Sequence, residues 1–160
     1  MIVVSNTTPI LSLHKIGRIG LLQELLGQVI VPTAVYNEIA VLGRDKPGYN
    51  MLDSAKYIQV KDVQNALSVS LLRSQLDCGE AEAIILAKEL GAELLILDEK
   101  KARKVAQANS QRVIGTIGIL QAAKDKGIIP NMRTSLDNLL ANGIWIDRKL
   151  YQTILEANSE

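Results

Sequence analysis

Three observations predict a three-layer α/β/α fold built on a mostly parallel sheet. Short apolar runs at residues 2–5, 29–31 and 93–97 suit strands covered on both faces. Segments of helix-forming composition alternate with them, and that alternation favours right-handed crossovers in a layered α/β architecture. Phe is absent and aromatics make up only 3% of the chain, so the core must come from Leu, Ile, Val and Ala, as in a helix-covered parallel sheet. At 160 residues the chain is long enough to bury such a core as one domain, 1–160, with a C-terminal helical segment at about 131–158 packed on it.

In chain order, residues 2–5 form the first strand, and Asn6, Thr7, Thr8 and Pro9 break it and open a helix over 9–15. Gly17 and Gly20 mark a bend before a second helix at 19–26. Strand two at 29–31 ends at Pro32 and Thr33, and the helix over 34–41 carries Glu38 about one turn inside. Residues 42–56 hold Gly43, Pro47 and Gly48 in mixed polar sequence. They predict a loop with a weak helical turn near 49–55, the best candidate for a flap or a partner contact. A strand at 58–60 and an amphipathic helix at 63–73 follow.

The stretch from Asp77 to Val105 is the most informative. Residues 80–90 are rich in Ala, Leu and Glu and stop at Gly91, a plausible helix terminator. The strand at 93–97 runs directly into Asp98, and Glu99 begins another helix. Residues 112–114 form the last strand, 116–126 a helix ended by Gly127, and Pro130 separates helices at 135–141 and 147–157.

The single Cys78 excludes an intramolecular disulfide and fits a reducing compartment, and one Cys with one His makes a structural zinc site a poor fit. No export signal or run of 18 apolar residues is present, which points to a cytoplasmic protein with no membrane contact. A net charge of +1 leaves room only for local basic patches, and GxGxxG and Walker A patterns are missing.

Ligands of open parallel sheets bind beyond the carboxyl ends of the strands, so Asp98 has a functional address. Asn6, Glu38 and Glu80 share that kind of position, with Glu82 and Asp77 competing with Glu80. Two or three such oxygens can hold Mg²⁺ or Mn²⁺ together with waters, and the ion can activate water against a phosphodiester. Taken one at a time, the acids are explained as well by favourable charge at helix N-termini.

The segments VVSNTTP (3–9), ILSLHKIGRIGLLQELLG (10–27), VIVPTAVYNEI (29–39), GEAEAIILAKELGAELLILDEKKAR (79–103) and RVIGTIGIL (112–120), in this order, resemble the PIN-domain family. They resemble in particular its bacterial and archaeal branch related to the ribonuclease toxins of toxin–antitoxin pairs. The resemblance implies a Rossmann-like PIN fold and divalent-metal-dependent cleavage of single-stranded or structured RNA by clustered acids. It also implies a possible small antitoxin partner and a homodimer. By position, Glu38, Glu80 and Asp98 match the family's acids, and Thr116 falls where a small polar or acidic residue often stands. Asn6 occupies the place of a catalytic Asp; it offers a neutral oxygen and leaves three carboxylates instead of four. That departure keeps open a PIN domain that binds RNA or a protein without cutting. A metal-dependent DNA nuclease or phosphatase would use the same carboxylates.

Thr7 is a further candidate beside Asn6, and Lys15 and Arg18 could contact phosphates. Lys100, Lys101, Arg103 and Lys104 could do the same, but fit an ordinary exposed helix face better. His14 reads as structural or exposed and Cys78 as a small buried residue. Trp145, between Ile144 and Ile146, reads as an anchor of the C-terminal unit or a subunit contact.

Overall fold

Five strands of β-branched and leucine-rich sequence pair in parallel, in the order β3-β2-β1-β4-β5. They are β1 (Val3–Ser5), β2 (Val29–Pro32), β3 (Ile58–Lys61), β4 (Leu94–Ile96) and β5 (Val113–Ile114). The computed structural model describes residues 1–160.

Adjacent strand residues point to opposite faces, and the packing follows that period of two. Val3 and Ile96 join the apolar cluster on one side of the sheet, whereas Val4, Leu95 and Leu97 join the cluster on the other. The first face is covered by α1 (Thr7–Lys15), α2 (Leu21–Leu26) and α8 (Thr116–Asp125), with α9 (Met132–Ala141) and α10 (Arg148–Ala157) packed behind them. The second face is covered by α5 (Ala66–Leu72), α6 (Cys78–Leu90) and α7 (Lys100–Ala108). Its core is alanine-rich, with Ala81, Ala83, Ala87, Ala102 and Ala106 buried, which lets these helices lie close to the sheet. The mixed α/β architecture expected from the sequence is therefore the one adopted.

The chain runs outward from β1 through β2 to β3, then returns to β4 on the other side of β1. The crevice between the carboxyl ends of β1 and β4 is thus a topological switch point, the place where open α/β sheets bind ligands. The Asn6 N–H donates to the Ile96 carbonyl at 3.0 Å and pins the end of β1 to the end of β4.

Three local expectations are corrected. The helix expected over 34–41 divides into α3 (Thr33–Tyr36) and a π-helical turn, Asn37–Val41. Trp145 does not anchor the C-terminal unit: it is 82% exposed, while Ile146 is buried. In an extended link, successive side chains alternate sides, so two inward isoleucines send the residue between them to solvent. Cys78 is half-buried as the first residue of α6, and burial followed by the nearby Glu82 carboxylate pushes its thiol up and keeps it protonated. The turn expected near 49–55 forms as α4 (Met51–Ser54).

Candidate functional site

Asn6 is the first residue beyond β1 and directly precedes α1. It is 4% exposed, yet its Oδ1 has no hydrogen-bond partner and caps no amide of the helix it precedes. Thr7, next in the chain, donates its hydroxyl to Glu38 Oε2 at 2.6 Å. Glu38 lies in the π-helical turn, a widened geometry that recurs where a helix must re-aim a side chain at a functional position.

Gly79, in the first turn of α6, completes this group. A Cβ there would collide with Glu38 Oε1 and lie 3.1 Å from Asn6 Oδ1, so both oxygens face the bare edge of the helix. Burial raises the Glu38 pKa; the Thr7 hydroxyl opposes that, Asp77 adds to it, the Gly79 N–H opposes it, and Glu82 adds to it. A partly buried carboxyl and an unpartnered amide oxygen thus converge on one point.

Asp98 is built differently. It follows β4 by two residues, and both of its oxygens are engaged by Thr116 at the start of α8: the N–H to Oδ1 at 2.7 Å and the hydroxyl to Oδ2 at 2.6 Å. A Cβ on Gly115 would sit 2.8 Å from Asp98 Oδ1 and 2.7 Å from Arg103 Nη1, so glycine also holds space open here. Arg103 donates through Nη1 to the Leu97 carbonyl at 3.1 Å. It is half-buried, whereas Lys100, Lys101 and Lys104 form the exposed face expected of them.

Glu80 is buried at the start of α6 in a capping box. Its N–H donates to Asp77 Oδ1 at 2.8 Å, and its Oε1 accepts from the Asp77 N–H at 3.1 Å. Burial raises its pKa, the Asp77 N–H opposes this, and Asp77 and Glu99 add to it. The competing candidate Glu82 accepts from the Ala34 N–H at 3.1 Å, tying α6 to the start of α3. Arg18 is exposed, and Lys15 lines a cleft beside Glu38.

The structure therefore brings Asn6, Thr7 and Glu38 into direct contact or convergence, and joins Asp98 to Thr116. Glu80 it turns back onto its own helix end. No three His, Cys, Asp or Glu side chains stand together as a group that could hold a metal ion. The unpartnered Asn6 oxygen and the Glu38 carboxyl are hard donors that suit a divalent cation completing its shell with water. Gly79 and Gly115 were missed in the sequence. Their signal was their position, one residue before Glu80 and one before Thr116.

A profile of the PIN domain matches residues 2–160. Comparison with curated proteins found no match. No helix is long and apolar enough to cross a membrane. With the matched segment spanning all five strands and every residue of the site, the chain belongs to the PIN-domain family.

Proposed function

We propose that this protein is a divalent-metal-dependent endoribonuclease of PIN type. The single observation that carries the reading is the buried Asn6 Oδ1, without a protein partner, which with the Glu38 carboxyl faces the bare helix edge at Gly79, beyond the carboxyl end of β1. A buried polar atom without a partner costs about 1–3 kcal/mol, which a bound ligand would recover. Asn6 and Glu38 would hold Mg²⁺ or Mn²⁺, with Asp98 and Glu80 adding negative charge around it. When bound, the ion supplies an activated water and neutralises charge on the phosphodiester.

The chain's own residues do the rest. Thr7 holds the Glu38 carboxyl in place, and Thr116 fixes the orientation of Asp98. Arg103, held by the Leu97 carbonyl, keeps guanidinium donors available to an anion beside Asp98. RNA is the substrate that the family resemblance favours, and an antitoxin-regulated toxin is the role it suggests.

Purified protein with Mn²⁺ or Mg²⁺ should cleave single-stranded RNA, with activity lost in EDTA and in Glu38→Gln and lowered in Asp98→Asn. Cleavage that survives Glu38→Gln at the wild-type rate ends the proposal.

A second reading, RNA binding without cleavage, is favoured by the neutral Asn6 and by the lack of three converging acids. It is adopted if the protein binds RNA and leaves it intact with either ion.

A further inference from the structure

Next to the Asn6–Glu38 pair, and sharing Thr7 and Glu38 with it, lies an open cleft of about 450 Å³. Leu11 of α1 and Ile39 of the π-helical turn line it, and Leu42, Tyr49, Lys15 and Lys46 surround them. Leu42 is 78% exposed, a poor position for a leucine with nothing against it, and the Tyr49 ring is also exposed. Neither lysine pairs with an acid: the chain's two ion pairs are the N-terminus with Glu93 and Lys124 with Glu160. Gly43 closes the turn behind the cleft, where a Cβ would come within 2.8 Å of the Ile39 carbonyl and 3.0 Å of the Glu38 carbonyl.

Apolar surface, an exposed aromatic ring and two unpaired ammonium groups within one small cleft are complementary to a flat base on an anionic backbone. Phosphate alone would leave Leu42 and Tyr49 uncovered, and an uncharged apolar ligand would leave the lysines without a counter-charge. A duplex would keep its bases stacked and out of reach of a cleft this size.

We propose that the cleft is a nucleotide subsite for single-stranded nucleic acid. One unstacked base lies against Leu11, Leu42 and Tyr49, and the adjoining phosphates meet Lys15 and Lys46. The subsite rests on the nuclease reading for its purpose: a base seated here delivers the neighbouring phosphodiester to Glu38 and Asn6. Residues 42–49, outside the metal-binding group, then select which single strand is engaged.

The test is fluorescence anisotropy with a labelled octauridylate and with the same oligonucleotide carrying abasic residues, in EDTA and again in Ca²⁺. The wild-type protein should bind the intact strand about tenfold more tightly. Tyr49→Ala and Leu42→Ser should each erase most of that difference while thermal melts stay unchanged. Lys15→Ala with Lys46→Ala should lower the salt slope by about 1.4, the value for two phosphates of a single strand.

Equal affinity for intact and abasic strands, or an unchanged base preference in both Tyr49→Ala and Leu42→Ser, overturns the subsite. So does the absence of oligonucleotide binding in both conditions, the result expected if the cleft serves a protein partner. Metal-dependent cleavage without base preference sinks the subsite and leaves the nuclease reading standing. Base-dependent binding without cleavage does the reverse.

Discussion

Glu38 and Asp98 stand on the same edge of one sheet, on either side of β1, yet their surroundings are opposite. Both Asp98 oxygens are satisfied by Thr116, and the carboxylate works as the cap that starts α8. On the other side, Glu38 has its pKa raised by burial, and the neighbouring Asn6 oxygen has no protein partner. Protein groups satisfy the Asp98 side, whereas on the Glu38 side they leave the Asn6 oxygen without a protein partner. Stability and function should therefore separate along this edge.

The largest effect on the bare protein is expected from Asp98→Ala. It removes the acceptor of two hydrogen bonds at a partly buried position, costing about 3 kcal/mol and lowering Tm by about 6–12 °C. A calorimetric Tm within 2 °C of wild type would show that the Asp98 side is no more self-sufficient than the Glu38 side.

Next comes Asn6→Asp, which places a second carboxylate beside Glu38. In EDTA it should destabilise the protein by about 2 kcal/mol, because a buried carboxylate is desolvated and repels the half-buried Glu38, and the N-terminus of α1 offsets only part of that. Millimolar Mn²⁺ should reverse the loss and raise RNA cleavage about tenfold. If Mn²⁺ fails to narrow the gap in melting temperature, the Glu38 side does not bind a cation.

The same contrast governs what could be read from the sequence. Asp98 was legible because an apolar strand ends beside it, and the strands and the Gly91 stop were legible because their chemistry is local. Gly91 does adopt the left-handed conformation, φ 61°, that such a stop requires. Glu80 was ambiguous for a physical reason: the third residue of a helix is the place both for a capping-box acid and for an acid facing a sheet-edge ligand. The Asp77–Glu80 spacing was a usable signal for the first. The π-helical turn was not legible, since the helical period of residues 33–41 does not distinguish an α-helical from a π-helical turn. The strand order was equally hidden, because pairing among short apolar strands depends on contacts distant in sequence.

The titration of Glu38 gives a smaller, signed test. Its folded pKa lies above the unfolded value, so the folded state holds the proton more tightly. Stability is then highest below pH 4.5 as far as this group is concerned, and declines as pH rises through its folded pKa. Glu80, raised mainly by burial, contributes in the same direction. Glu160 runs the other way: the Met132 N–H lowers its pKa despite opposing burial, so its contribution is lost as pH falls. Melting curves in EDTA should show Glu38→Gln flattening the decline at its upper end. Mn²⁺ should do likewise in the wild type by favouring the ionised carboxyl. A Glu38→Gln profile parallel to wild type would remove Glu38 as its source.

The finest comparison comes from two matched glycines. At Gly79 an added methyl would press on Glu38 Oε1 and Asn6 Oδ1, both at the ends of side chains. The Glu38 carboxyl ends a flexible side chain and moves aside at the cost of loosening its single bond from Thr7, which the roughly 1 kcal/mol advantage of alanine over glycine within a helix offsets, so Gly79→Ala should shift Tm in EDTA by less than about 2 °C. The displaced oxygens can no longer converge, and the Mn²⁺-induced rise in Tm should fall by at least half. At Gly115 the methyl would meet Asp98 Oδ1, Arg103 Nη1 and, at 3.4 Å, the Leu97 carbonyl. Asp98 cannot give way without loosening its bond to the Thr116 N–H, so Gly115→Ala should lower Tm in EDTA by about 3–6 °C. Equal Tm losses in the two variants would mean that Glu38 is held as firmly as Asp98.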